Sequence, residues 1–159
     1  MRRSLASGLL AAGAALLCWA CSSLASSKWI GTWELNPAES KYSPGPAPKS
    51  QTVKFQVAGD SVNLTSDGVG ADGTATHSSY TSRFDGKDVL WEGNPDADIA
   101  SPLKINASSY DNIWKKKDGR ATMISRVTVS ADGRIMTVVQ KGTNENGEPV
   151  SITAVYDRR

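Results

Sequence analysis

Lys28-Trp29-Ile30-Gly31-Thr32-Trp33-Glu34-Leu35-Asn36 places two of the chain's five tryptophans around a glycine. It stands just after an apolar N-terminal run, where the folded part of the chain should begin. Trp29, Gly31, Trp33 and Leu35 alternate with Ile30, Thr32 and Glu34, the period-two pattern of a β-strand. Glycine inside a strand marks a bend or a close backbone approach. The question raised by this stretch is what approaches Gly31 so closely, and why a large ring stands beside it.

The residues before it have an export signal's layout. Arg2 and Arg3 make a basic start, Leu5–Ala20 is an apolar run with glycine and alanine throughout, and Ser23-Leu24-Ala25 supplies small residues around a cut. The run is short for a membrane span, which needs roughly 20 apolar residues. We therefore expect residues 1–25 to be a signal peptide and residues 26–159 to be one domain, secreted or periplasmic. Cleavage after Ala25 removes both cysteines, Cys18 and Cys21, so the mature domain relies on its core rather than on a disulfide. In an alternative reading, Cys21 is the lipid-carrying first residue of an anchored lipoprotein. Loss of Arg2 and Arg3 from 18 Lys and Arg, against 16 Asp and Glu, leaves the mature domain formally neutral. A broad basic footprint for nucleic acid is therefore missing. Lys115-Lys116-Lys117 with Arg120 is read as a solvated strand end beside a turn.

From residue 51 onward the punctuation is regular. Asp-Gly recurs at residues 67, 72, 85, 118 and 132, Asn146-Gly147 adds one pair, and Gly59-Asp60 reverses the order. Such pairs accept the positive φ of hairpin turns. Between them lie runs rich in Val, Ile, Thr and aromatics, predicting strands near 29–35, 51–58, 61–66, 74–84, 87–92, 99–107, 110–117, 121–130, 134–142 and 149–157. The expected fold class is all-β, an antiparallel up-and-down meander of about ten strands. Its edges are hidden best by closure into a barrel, with two packed sheets as the alternative. Asn36-Pro37-Ala38-Glu39 reads as the start of one short helix after strand one, and Pro44–Pro48 as a stiff extended arm.

Faces are clearest in the last strand, where Val150, Ile152, Ala154 and Tyr156 share one side. Tyr80 and Phe84 share a face with Thr76, Ser78 and Ser82, which suits either a cavity wall or a thinly covered outer surface. Arg126 depends on register. A two-residue turn at Asp132-Gly133 sets Val127 opposite Val138 and Val129 opposite Met136, and sends Arg126 outward; a bulged turn recombines the faces.

Gly31-Thr32-Trp33 on the first strand resembles the signature of the calycin superfamily, the lipocalins and fatty-acid-binding proteins. Val155-Tyr156-Asp157-Arg158 resembles the Val-Tyr-Glu-Lys ending of the fatty-acid-binding group, and Trp114, Gly119 and Arg126 resemble that group's eighth-strand pattern. The resemblance implies a closed barrel whose end is plugged by Trp33, with Gly31 allowing close packing and Arg158 lying across the ring. It also implies a ligand site that includes Arg126 and Tyr156; Tyr80 and Phe84 join these as candidate ligand-binding residues from their own strand face. Ala154 stands where that group carries a second arginine, and its two-helix lid has no counterpart beyond Pro37–Tyr42. The phrases GTWELNPAESKYSPGPAPKS and GNPDAD also resemble secreted bacterial lipocalin-like proteins of no known activity.

Catalytic chemistry is thin. The mature chain would keep one histidine, His77, and no cysteine, which excludes a His- or Cys-based zinc site within one chain. His77 lies mid-strand without a nucleophile-elbow pattern. Asp96 and Asp98 lack EF-hand spacing and read as turn residues, and no glycine-rich phosphate loop precedes a helix. Glu34 and Glu92 are the carboxylates a hydrolytic reading would have to use. We therefore expect a non-enzyme without metal or cofactor, binding a small apolar or amphipathic molecule inside the barrel. The alternative is a filled barrel acting through its surface on an envelope protein or a secreted protease.

Overall fold

The computed structural model describes residues 23–159. The expected signal segment up to residue 22, with Cys18 and Cys21, lies outside the described residues. The described residues form eleven strands: β1 (Gly31–Leu35), β2 (Lys41–Ser43), β3 (Ser50–Ala58), β4 (Ser61–Val69), β5 (Ala75–Ser82), β6 (Val89–Leu90), β7 (Ile99–Asn106), β8 (Ser109–Lys115), β9 (Ala121–Val129), β10 (Ile135–Thr143) and β11 (Pro149–Arg158). Their order is β5-β4-β3-β1-β11-β10-β9-β8-β7-β6, antiparallel at each pairing, with β2 also paired to β11. The first and last strands are thus neighbours at the middle of the sheet. Its two ends meet where Ser79 N–H donates to Glu92 O and Glu92 N–H donates to Ser79 O, each at 3.0 Å. The result is a nearly closed barrel.

β1 and β2 lie end to end along one edge of β11. β1 pairs with Tyr156–Arg158 and β2 with Ser151–Thr153. Between them, residues 36–40 loop outward. This corrects the helix expected after strand one. Asn36 does accept the Glu39 N–H at 3.3 Å as a cap would, but Ser40 Oγ then accepts the Val155 N–H at 2.9 Å. The free edge of β11 captures the chain before a second helical turn can form. The described residues instead carry one 3-10 turn, Leu24–Ser26, ahead of β1. Leu24 packs against the main core and Lys104 Nζ reaches Ser23 O at 3.4 Å. The folded unit therefore includes residues before the cut expected after Ala25.

Register follows the Asp132-Gly133 turn. Val129 faces Met136 and Val127 faces Val138, so these four side chains point inward together. The loop itself is longer than two residues: Gly133 N–H donates to Ser130 O and Ser130 N–H to Ile135 O, both at 2.9 Å. The longer loop keeps the same parity, and with it the outward direction of Arg126.

One end of the barrel is solid. Trp29 and Trp33 are fully buried there. The Phe84 ring lies 5.9 Å from Trp29 and 4.9 Å from Tyr110, and Trp29 lies 5.2 Å from Tyr110. A smaller cluster of Ala97, Trp114, Met123 and Val150 forms toward the other end.

Candidate functional site: the barrel interior

The closed end explains Gly31. Gly31 has φ +128°, and a Cβ there would sit 2.7 Å from a guanidinium nitrogen of Arg158. The missing side chain is the space through which Arg158 crosses the barrel end. Its guanidinium carbon lies 4.2 Å from the Trp33 ring centre. Nε donates to Gly133 O at 2.6 Å, Nη1 to Ile30 O at 3.0 Å, and Nη2 to Lys28 O. Trp33 Nε1 donates to Trp29 O at 2.8 Å. Gly31, Trp33 and Arg158 thus meet, while Arg159 turns to the opposite face and pairs with Glu34. That pairing holds the Glu34 carboxyl below its ordinary range through the Arg159 hydrogen bond.

The other half of the barrel is hollow. A cavity of about 320 Å³ runs from Phe55 and Met136 in mid-barrel to a mouth at Pro48, Gly70 and Pro95. Its walls include Tyr80, Tyr110, Tyr156, Trp91 and Trp114. The strands supply these inward positions by alternation. Tyr110, Asn112 and Trp114 are the buried residues of β8, set between the more exposed Asp111 and Ile113. Trp91 lies 4.6 Å from Trp114 and 5.1 Å from Tyr80, ring centre to ring centre.

Inward of the mouth, where Asp96 and His77 lie, the polar groups in the wall are neutral. The Tyr156 hydroxyl donates to Gln51 Oε1 at 2.7 Å, and Gln51 Nε2 donates to Ser66 Oγ at 2.8 Å. Trp114 Nε1 donates to Ser125 Oγ at 3.2 Å. The Tyr80 hydroxyl and Trp91 Nε1 are buried without a hydrogen-bond partner of normal geometry. Tyr80 and Tyr110 nevertheless influence each other's ionisation, so their hydroxyls are near neighbours. Burial pushes the hydroxyls of Tyr80, Tyr110 and Tyr156 well above the ordinary tyrosine range. The same cause pushes Tyr42 up to about 12.

Of the four residues expected to touch a ligand, two line the cavity: Tyr80 and Tyr156. Two do not. Phe84 is 2 % exposed but belongs to the packed closed end, where φ +56° turns the chain out of β5 and drops the ring onto Trp29. Arg126 is outside. Its Nε and Nη2 donate to the two carboxylate oxygens of Asp111, each at 2.7 Å, across the outer face of β8 and β9. There it borders a shallow external groove of about 660 Å³ with Ile124 and Val139. Sequence reasoning missed Gln51, Ser66, Asn112, Ser125 and Trp91. A signal was present for Asn112 and Ser125: each is a polar residue alternating with large apolar neighbours on an inward face.

A loop covers part of the mouth. Asp96 Oδ1 accepts the Glu145 N–H at 2.9 Å, Asp98 Oδ2 accepts the Lys117 N–H at 3.0 Å, and Lys116 Nζ donates to Pro95 O at 2.9 Å. Asp96 and Asp98 thus brace the loop through backbone amides. His77 faces outward, with Nδ1 2.6 Å from Asp67 Oδ1. Among the described residues, no three His, Cys, Asp or Glu side chains cluster as a metal site.

A meandering, nearly closed barrel with a tryptophan plug at one end and a cavity opening at the other is the calycin fold. The zebrafish ileal bile acid-binding protein, solved in complex with cholic acid, superposes with a TM-score of 0.50 over 84% of this chain and 100% of its own, at 9% sequence identity. At that identity the likeness concerns the fold alone. No protein-family model and no curated relative matches the chain.

Proposed function

We propose that the protein is an exported, non-enzymatic binding protein that carries or sequesters a small apolar or amphipathic molecule in its interior. The observation that carries this reading is the open cavity of about 320 Å³. It falls at the small end of the usual ligand-pocket range of roughly 300–1,000 Å³ and has the usual make-up, aromatic walls with a few placed polar groups. The zebrafish neighbour was solved with a bile acid, an amphipathic ligand, which is in keeping with it. The carboxylates a hydrolytic reading would need are elsewhere: Glu34 is tied to Arg159, and Glu92 is an exposed residue beside the β5–β6 seam. Export rests on the basic start, apolar run and small residues of the N-terminus, and on the phrases resembling secreted bacterial lipocalin-like proteins. Native mass spectrometry of protein taken from its own host tests the reading. A small molecule released on denaturation supports it; protein that is ligand-free and also refuses the neutral dye Nile red overturns it.

One observation favours a second reading, contact with another envelope protein. The outer groove carries Ile124 at 59% exposure beside the half-exposed Val139. Val139→Lys separates the two. It replaces an apolar side chain of the outer groove and leaves the cavity untouched, so Nile red binding persists, and only the second reading expects the variant to lose association with an envelope protein in a pull-down.

A further inference from the structure

We infer that the interior selects an uncharged, compact ring compound bearing a hydrogen-bond acceptor, and rejects carboxylates. The inference rests on the cavity being the binding site, as proposed above.

The charge inventory is the first argument. Among the cavity-lining residues there is no Lys, Arg or Glu. Asp96 and His77 are present only toward the mouth, where Asp96 Oδ1 is engaged by the Glu145 amide and His77 Nδ1 by Asp67 on the outer face. Arg126 lies outside, held by both oxygens of Asp111. Ala154, 3 % exposed, fills its inward position on β11 with a methyl group. A carboxylate entering this space would lose its water without meeting a cation, which is unfavourable unless the group is paired or protonated. The raised ionisation of the three wall tyrosines reports the same resistance to negative charge.

The second argument is the hydrogen-bond inventory. The Tyr156–Gln51–Ser66 relay joins neutral groups, and Ser66 Oγ, accepting from Gln51, keeps its own proton to donate. Ser66 lines the cavity, so its hydroxyl is the donor offered to a ligand, whereas the Tyr80 hydroxyl and Trp91 Nε1 are packed within the wall. A donor in an apolar wall favours a ligand that offers an acceptor, such as an amide, ketone or alcohol oxygen. Shape completes the case. Trp91, Trp114 and Tyr80 give the wall an aromatic lining, and a space of about 320 Å³ suits a compact ring system better than a long acyl chain.

The test uses four compounds on one frame: naphthalene, naphthalene-2-carboxamide, naphthalene-2-carboxylate and 2-naphthylmethylammonium. Each is titrated calorimetrically into the full domain at pH 7, beside Nile red. The carboxamide should bind at least tenfold more tightly than the carboxylate. Carboxylate binding should strengthen as the pH falls toward the compound's own pKa. Ser66→Ala should weaken carboxamide binding severalfold and leave naphthalene unchanged, because it removes the wall hydroxyl and leaves the apolar walls in place. Gln140→Arg, on a half-buried wall position of β10, should raise carboxylate affinity about tenfold by supplying the missing cation. Carboxylate or ammonium binding as tight as carboxamide binding overturns the inference, as does a carboxamide that fails to bind where Nile red succeeds. Failure of every compound, Nile red included, overturns the proposed function instead.

Discussion

Arg158 is the cross-strand partner of Trp33, and its guanidinium lies over that ring with the guanidinium carbon 4.2 Å from the centre. Directly opposed residues of an antiparallel pair share a face, so the pairing of the first and last strands places the cation over the plug. The same guanidinium reaches three carbonyls, at Lys28, Ile30 and Gly133, which belong to the N-terminal segment and the β9–β10 turn. It therefore stitches together parts of the chain far apart in sequence.

Trp33→Ala should destabilise the domain by about 3–5 kcal/mol, the usual range for emptying a buried aromatic site. Arg158→Ala should do less damage, and Arg158→Lys should recover little of it, since an ammonium cannot reproduce the fork to several carbonyls. Neither Arg158 variant should change Nile red affinity, because the cavity opens at the opposite end. Urea unfolding followed by dye titration checks all three.

Arg126 gives the opposite expectation. Facing outward, it should be dispensable for binding, with Arg126→Gln keeping ligand affinity within about twofold of the parent protein. Its effect belongs to acid stability. The Arg126 hydrogen bond holds Asp111 below the ordinary carboxylate range. A carboxylate depressed in the folded state contributes stability above its unfolded pKa of about 3.9, and that contribution disappears as the pH falls through the lower folded value. Removing Arg126 should move the midpoint of acid unfolding to higher pH, read by tryptophan fluorescence between neutral pH and strong acid.

The N-terminal boundary is open to a similar test. Leu24 is half-buried against the main core, and a chain starting at Ser26 loses it. A chain starting at Ser23 should be more stable by about 1 kcal/mol, a few degrees in melting temperature. The proposed export predicts a mature chain starting at Ser26, and the intact mass of the protein taken from its host distinguishes that start from a diacylated start at Cys21.

The strands were legible because turn chemistry and alternation are local. The Asp132-Gly133 turn narrowed the pairing to two registers, one of which sets Val127 against Val138 and Arg126 outward as found, and Gly31-Thr32-Trp33 pointed to the plug through its resemblance to the calycin signature. The site was less legible because a cavity is made by several strands at once. Tyr80 and Phe84 share a strand face in the sequence, yet Phe84 leaves the strand at φ +56° and packs on Trp29, outside the cavity. Trp91 follows a two-residue strand with no alternation to read, and only the β5–β6 seam brings it beside Tyr80. The turn at Asn36–Ser40 misled because its capping residues are genuine; a long-range competitor, the edge of β11, decided the outcome.

That seam is the last place where a small change should have a large effect. Gly93 has φ +75°, and a Cβ there would collide with the carbonyl oxygen of His77 on β5. It directly follows Glu92, whose two hydrogen bonds with Ser79 join the ends of the sheet. Gly93→Ala must therefore either strain its own backbone or push the Glu92 strand away from β5, and the second response opens the barrel beside Trp91 and Tyr80. The plug end keeps its own bonds at Trp33 and Arg158, so global unfolding should change less than the seam does. The amides of Ser79 and Glu92 should exchange at least tenfold faster in the variant, while those of Trp33 and Val127 stay close to the parent rates. Bound Nile red should also leave faster. Unchanged exchange at Ser79 and Glu92 would mean that the carbonyl of His77 yields without cost, and that Gly93 is not what holds the barrel shut.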